Sequence, residues 1–386
     1  MGLFDAKYLS NDQLNGFHSY KYSCVDNSPI AIYISHPFWN WLVTWYPRTW
    51  APNVLTLLGW SFVMGCFLLE SVLDYDLTAN SVGSDHPVPN WFWLTAAVCT
   101  WIGHTLDGTD GKQARRIGAS GPIGEFFDHG LDSWSIVPLT ITVFSVFGTG
   151  ELSVTPIHIL SVLIGVQVVF IATHCEKYNT GVLFLSWGYD AGQYMLIFTY
   201  MFTYFVGYKC YKFYVYDSIS FVVIVESSFY LCSLGSVVVS IYNMWHSYSV
   251  EKTFKQPSLY EATRPVIPCA ILFITSLSWA CLSSTDICST DPRVYFFALG
   301  TVFSNIACRL IIAQMSNQRC DVSNKLLLLY MMTAGISLLI PTIELTLLRI
   351  ATLLIVLLHI HYGVCVVRQL CKYFEIHALD VSYLHK

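Results

Sequence analysis

Between Asp107 and Asp132 the chain reads Asp107-Gly-Thr-Asp110-Gly-Lys-Gln-Ala-Arg115, followed by Gly124, Asp128 and Asp132. Four aspartates, an arginine and several glycines therefore sit between two strongly apolar segments. Carboxylates beside a membrane core are costly unless something compensates their charge. A divalent cation, Mg²⁺ or Mn²⁺, is the partner that hard oxygen donors select, and its chemistry on such a donor set is at phosphate. Asp107 and Asp110 are three residues apart, and Asp128 and Asp132 are four apart. On helices each pair shares one face. Two facing helix ends would gather all four carboxylates, more than one Mg²⁺ usually takes, so two ions are expected. Gly108, Gly111, Gly124 and Gly130 remove side-chain bulk and admit a close helix or a ligand. Arg115 offers a planar fork of donors to phosphate oxygens, and Lys112 adds a more mobile charge. Any one of these charges alone reads as a solvated loop residue. The set, with its glycines at helix ends, reads as a site.

The elements that must position this cluster are membrane helices. The 386 residues are 54% hydrophobic and only 12% charged, against about 25% charged in a soluble globular domain. Mean hydropathy is +0.52. An all-α, polytopic membrane protein is expected. About 20 mainly apolar residues cross a bilayer, and ten such runs are readable. They lie near Val54–Leu73, Trp91–Leu106, Glu125–Phe147, Thr155–Thr173, Gly188–Val206, Ser218–Tyr242, Val266–Leu282, Val294–Ala313, Leu326–Ile343 and Leu348–Val367. The third begins with acidic residues, so it should project from the membrane or line a cavity. His36 to Tyr46, rich in tryptophan, suits an interfacial helix in the headgroup layer. Residues 1–50 then form an N-terminal cytosolic and interfacial segment, 51–368 the membrane domain and 369–386 a cytosolic tail. The opening residues lack a signal-peptide pattern, so the first membrane helix is expected to direct targeting.

Lys and Arg recur in alternate loops, which places both termini and the aspartate cluster on the cytosolic side. Lys209 and Lys212 break that alternation. The net charge of −5 argues against a nucleic-acid partner. The 13 cysteines are scattered through apolar stretches without paired spacing and read as small core residues.

The pattern D-x2-D-G-x2-A-R-x8-G-x3-D-x3-D runs without departure through Asp107, Asp110, Gly111, Ala114, Arg115, Gly124, Asp128 and Asp132. It resembles the signature of the CDP-alcohol phosphotransferase (class-I CDP-alcohol phosphatidyltransferase) family. Asp110 to Arg116, Gly124 to Trp134, Ala51 to Thr56 and His36 to Trp39 resemble the family's eukaryotic choline/ethanolamine branch. His174 to Gly181, Trp187-Gly-Tyr-Asp190 and His359 to Gly363 look most like its ethanolamine-specific members. The resemblance implies transfer of phosphoethanolamine from CDP-ethanolamine to diacylglycerol, giving phosphatidylethanolamine and CMP. It implies that Asp107, Asp110 and Asp128 bind metal and that Asp132 holds the second ion. Asn53, Gly111, Lys112, Ala114, Arg115 and Gly124 would line the CDP pocket. A homodimer in the endoplasmic reticulum or Golgi, with the active site facing the cytosol, is also implied.

A base should take the acceptor proton, since a glycerol hydroxyl is a poor nucleophile at neutral pH. His129, between two of the expected ligands, is the first candidate, and Asp132 is its rival. A primary ammonium wants a carboxylate, whereas a quaternary one wants an aromatic cage. Glu125, Glu176 and Asp190 are the carboxylates available for the headgroup; a loop charge or an ion pair with Lys177 is the alternative for each. His104, His174, His359 and His361 lie at or within apolar runs and read as interhelical hydrogen-bonding residues. Choline or dual headgroup use is the nearest alternative function. A divalent-metal transporter is the remote one, since intramembrane carboxylates also mark ion paths. An arginine beside the cluster argues against a cation path.

Overall fold

The computed structural model describes residue 2, residues 4–185 and residues 187–385. Met1 and Leu3, part of the opening stretch read above for targeting, lie outside the described residues. Fourteen helices follow in chain order among the described residues. They are α1 Asn11–Gly16, α2 His36–Leu42, α3 Pro52–Leu73, α4 Asn90–Ile117, α5 Pro122–Phe147, α6 Pro156–Thr180 and α7 Trp187–Val206. Then come α8 Phe221–His246, α9 Leu259–Thr263, α10 Val266–Leu282, α11 Ile287–Thr290, α12 Pro292–Met315, α13 Lys325–Leu339 and α14 Glu344–Phe374. Each of the ten apolar runs carries a helix. Six stretches, containing α3, α5, α6, α8, α12 and α14, are long and apolar enough to cross a membrane. Two more, α10 and α13, are apolar but span only 17 and 15 residues. The protein is thus an integral membrane protein of all-α class, and the full count of ten spans is a coarser fit than the sequence suggested.

The starts and stops follow local chemistry. Pro52, Pro122, Pro156 and Pro292 open their helices at the first positions, where a missing N–H costs nothing. Gly118 and Gly181 close α4 and α6 in the left-handed conformation, at φ 77° and 85°. Ala119 N–H returns to the Ala114 carbonyl at 2.8 Å and completes the turn after α4. Only four residues, 118 to 121, then separate α4 from α5. That connector brings the end of one helix to the start of the next.

At the centre of the bundle stand α5 and α12, the two most enclosed of the candidate spans. α5 packs against α3, α12 and α6, and in its N-terminal part Glu125 is buried and Asp132 lines a cavity. Gly300 permits the close approach of α12, since a Cβ there would meet Val137 Cγ2. At the end away from the aspartates, Arg293 on α12 binds Glu70 on α3 through two bonds of 2.9 and 3.1 Å. Arg293 and Glu70 are both buried, so α3 and α12 are locked by a fully desolvated pair. Lys212 resides on this same end because it is a structural donor. It bonds the last carbonyl of α5, at Phe147, and Ser153 Oγ. Burial pushes its pKa down to about 8, which weakens it as a topology signal.

Two short strand pairs complete the fold. β1 Cys24–Val25 lies parallel to β2 Leu183–Phe184, with Cys24 opposite Leu183. β3 Tyr214–Tyr216 pairs antiparallel with β4 Ile219–Ser220. The first pair pins the N-terminal segment to the chain leaving α6. The tryptophan-rich stretch from His36 forms α2 and a following 3₁₀ turn, Val43–Trp45, with Trp41 and Trp45 exposed. All 13 cysteines are free.

Candidate active site

Asp107 and Asp110 lie in the C-terminal half of α4, and Asp128 on the second turn of α5. One carboxylate oxygen from each of these three lies within 4.8 Å of the others. Like charges this close repel strongly, and among the described residues no Lys or Arg pairs with them. Neutral donors support them instead. Tyr189 OH donates to Asp107 Oδ2 at 2.8 Å, and Thr56 Oγ1 donates to Asp110 Oδ2. Three hard donors held by neutral hydroxyls fit a divalent cation, whose charge supplies what the protein omits. Asp132 stands one turn deeper. It shares with Asp107 and Tyr189 a small cavity of about 40 Å³, lined also by Trp60, Val63 and Leu139.

The glycines have separate tasks. A Cβ at Gly111 would lie 3.5 Å from Arg115 Nη1, so the guanidinium folds back along α4 over Gly111. Arg115 is exposed and makes no hydrogen bond or ion pair with a described residue, leaving its donors for an anion. Gly124 faces Asn53, whose Oδ1 would be 3.7 Å from a Cβ there. Asn53 Nδ2 donates to the Ala378 carbonyl at 2.8 Å, so the tail after α14 folds back onto this corner. Gly130 accommodates Cys308 of α12, not a ligand. Lys112 is bound to Asn40 at 2.8 Å, on α2.

Gly108 makes room for α2. A Cβ there would lie 2.4 Å from the Trp39 indole. Alanine normally stabilises a helix interior over glycine by roughly 0.5–1 kcal/mol. Overpacking costs about 1–3 kcal/mol, so the clash wins. Gly108→Ala is expected to lower thermal stability and to detach α2. A lowered apparent Tm with a changed tryptophan emission is the expected result; an unchanged or raised Tm contradicts the packing argument.

Around His129 the helices supply polar neighbours that sequence spacing does not reveal. His129 Nδ1 lies 3.3 Å from His174 Nε2 on α6. Its other ring nitrogen lies 3.5 Å from Asp128 Oδ2. The three headgroup carboxylates diverge. Glu125 is buried and receives Lys177 Nζ at 2.6 Å, Gln314 Nε2 at 3.0 Å and Tyr20 OH at 2.5 Å. Burial, and then the neighbouring Glu125 charge, raise the Tyr20 pKa, so that hydroxyl stays a donor. Glu176 turns to α8, where Asn243 Nδ2 donates to it at 2.7 Å. It lies two residues from His174, about 200° around the helix. Asp190, unlike Glu125, adjoins the aspartates without a Lys or Arg partner among the described residues. It lies 3.5 Å from His104 and accepts from Ser35 Oγ at 3.3 Å, next to the Tyr189 that bonds Asp107. Thr56, Tyr189, His174 and Gln314 are the site neighbours not singled out as such from sequence. Thr56, His174 and Tyr189 lie inside stretches whose resemblance was noted, which was the available signal; Gln314 does not.

An all-helical membrane protein that gathers three uncompensated carboxylates at the junction of two helices has the architecture of a metal-dependent membrane enzyme. Residues 49–242 match the description of CDP-alcohol phosphatidyltransferases. The chain is 41% identical to ethanolaminephosphotransferase 1 of Homo sapiens over 382 residues, covering 97% of this chain and 95% of the human protein. The Mus musculus protein of the same name is 41% identical over 383 residues, with the same coverage. Choline/ethanolaminephosphotransferase 1 of Arabidopsis thaliana is 25% identical over 397 residues, covering 97% of this chain and 98% of that protein. The chain belongs to the CDP-alcohol phosphatidyltransferase family.

Proposed function

We propose that the protein is an ethanolaminephosphotransferase. It transfers phosphoethanolamine from CDP-ethanolamine to diacylglycerol, releasing CMP and phosphatidylethanolamine. The observation that carries this reading is the convergence of Asp107, Asp110 and Asp128 in a chain 41% identical to ethanolaminephosphotransferase 1 over nearly its whole length. The bond broken joins the β-phosphorus to the CMP oxygen; the bond formed joins that phosphorus to the acceptor hydroxyl oxygen. Phosphoryl transfer depends on charge neutralisation and alignment more than on covalent help. Mg²⁺ or Mn²⁺, held by Asp107, Asp110 and Asp128 with Asp132 toward a second ion, would neutralise the pyrophosphate and the departing CMP.

The protein's own groups do the rest. Arg115, folded over Gly111 with its donors unused, steadies a phosphate. Asn53, Gly124, Lys112 and Ala114 border the nucleotide. His129 takes the acceptor proton. His174 Nε2 engages His129 Nδ1, which leaves Nε2, on the Asp128 side, to act as base, a contribution of about 10² to 10⁴ in rate. Asp190 receives the ethanolamine ammonium, because Glu125 is held by Lys177 and Glu176 is turned to α8. The site faces the cytosol, with the membrane being that of the endoplasmic reticulum or Golgi.

The test is CMP release by purified protein with diacylglycerol and Mn²⁺ or Mg²⁺, supplied with CDP-ethanolamine and CDP-choline side by side. Preference for CDP-ethanolamine is expected, and Asp190→Asn should raise its KM while sparing kcat. Equal use of both donors would make the enzyme dual. Absence of CMP from either, in folded protein that binds Mn²⁺, would reject the reading and return attention to metal transport.

A further inference from the structure

A second cavity, of about 560 Å³, opens at the same end of the bundle as the aspartates. That volume suits a small ligand or a headgroup. Its walls come from four parts of the chain: residues 19–23, the end of α6, Lys255, and the end of α12. Three lysines line it, Lys21, Lys177 and Lys255, and no carboxylate does.

The three are not equivalent. Lys177 is buried and already neutralised by Glu125 at 2.6 Å. Lys21 and Lys255 are exposed, and neither makes an ion pair with a described residue. They come from segments far apart in sequence and converge on one space. Lys255 is brought there by its backbone, whose N–H donates to the Asn179 carbonyl at 2.8 Å. Its side chain crosses Gly181, where a Cβ would lie 2.6 Å from Lys255 Cε and 2.7 Å from Nζ. Capping the carbonyl end of α6 accounts for Lys255. It does not account for Lys21, which approaches from the strand-pinned N-terminal segment. Ser23 adds a hydroxyl to the lining, while those of Ser19 and Thr180 already donate to the Gly16 and Glu176 carbonyls at 2.8 and 2.9 Å.

We propose that this cavity is an anion site for a phosphate group, distinct from the aspartate centre. Two ammonium groups without a carboxylate partner among the described residues, converging on one cavity, match the charge of a phosphomonoester. An ethanolamine ammonium is excluded by the same charges. The floor of the cavity, Lys177 and Gln314, is also what holds Glu125, one turn before Asp128. A bound anion would therefore sit two contacts from the metal-binding carboxylates. The phosphate can arrive on a lipid of the adjoining leaflet or free in solution.

The test measures binding and needs no CDP-alcohol, so it is independent of the transferase reading. The full-length protein is placed in nanodiscs of phosphatidylcholine with and without phosphatidic acid, and separately titrated with inorganic phosphate under metal-free conditions. Binding is followed by protein-observed thermal shift and by ³¹P line broadening. Lys21→Gln/Lys255→Gln is expected to weaken binding about tenfold or more, the loss of two charged contacts. Lys252→Gln, an exposed lysine outside the cavity, should leave it unchanged. Loss confined to the phosphatidic acid arm assigns a lipid phosphate; loss confined to the soluble arm assigns a free one. Equal binding by wild type and the double variant in both arms overturns the proposal, as does absence of binding in both.

Discussion

Asp128→Ala is expected to reduce CMP release by about 10³-fold or more, with the protein still folded. The carboxylate supplies one of three oxygens that lie within 4.8 Å of one another. Removing it takes away a third of the donor set from a site where cation binding is worth several kcal/mol of charge stabilisation, and about 4 kcal/mol corresponds to 10³ in rate. Stability should move little, or even rise, because the change relieves repulsion between neighbouring carboxylates that the protein does not compensate. Mn²⁺ binding, followed by its electron paramagnetic resonance signal, should weaken in parallel. His129→Ala is the contrast. It leaves all three carboxylates in place, so turnover should fall by about 10² to 10⁴ while Mn²⁺ and CDP-ethanolamine still bind. A His129→Ala protein that no longer binds the nucleotide would reassign that residue to holding Asp128. An Asp128→Ala protein with normal turnover would remove the aspartate cluster from the chemistry altogether.

The second large effect is on stability. Glu125→Ala should lower the unfolding free energy by about 3–5 kcal/mol, because it strands a buried Lys177 ammonium. The Lys177 side chain is 6% exposed and the Glu125 side chain 1%, so water cannot take over the lost contact. Tyr20 and Gln314 lose their acceptor in the same step. Replacing both partners, as Glu125→Leu/Lys177→Met, should recover most of the loss, since a buried ion pair stabilises mainly relative to its half-broken form. Apparent Tm of the three proteins in detergent decides this. If Glu125 instead received the headgroup ammonium, Glu125→Ala would leave Tm unchanged and raise the KM for CDP-ethanolamine alone. The structure argues for the first outcome, since both carboxylate oxygens already have donors at 2.5 to 3.0 Å.

The same logic separates the remaining acidic candidates. Glu176 has an amide partner from α8 and no route to the aspartates. Asp190 meets a histidine and a serine and no Lys or Arg among the described residues, and it follows the tyrosine that supports Asp107. Under the proposed function, the carboxylate with no Lys or Arg partner is the one to receive a cationic headgroup. Helix α2 contributes in a different way. Trp39 and Asn40 hold α2 against Gly108 and Lys112 of α4, so part of the glycine pattern in the motif serves packing of the N-terminal segment.

Local spacing by itself determined the helices and the grouping of the aspartates on their faces. Intervals of three and four residues place carboxylates on one helix face whatever the rest of the chain does, and four connector residues leave two helices little choice but to meet. The apolar runs likewise specify helices, because each must satisfy its own backbone within a bilayer. Tertiary structure alone decided the partners. Lys177 reaches Glu125 across 52 residues, Asn243 reaches Glu176 across 67, and Ser35 reaches Asp190 across 155. Which carboxylate is neutralised and which is left free depends on how α6, α7, α8 and the N-terminal segment rotate and pack. No periodicity along a single helix encodes that rotation. The lysines of the second cavity belong to the same class of fact, since Lys21 and Lys255 become neighbours only through the fold.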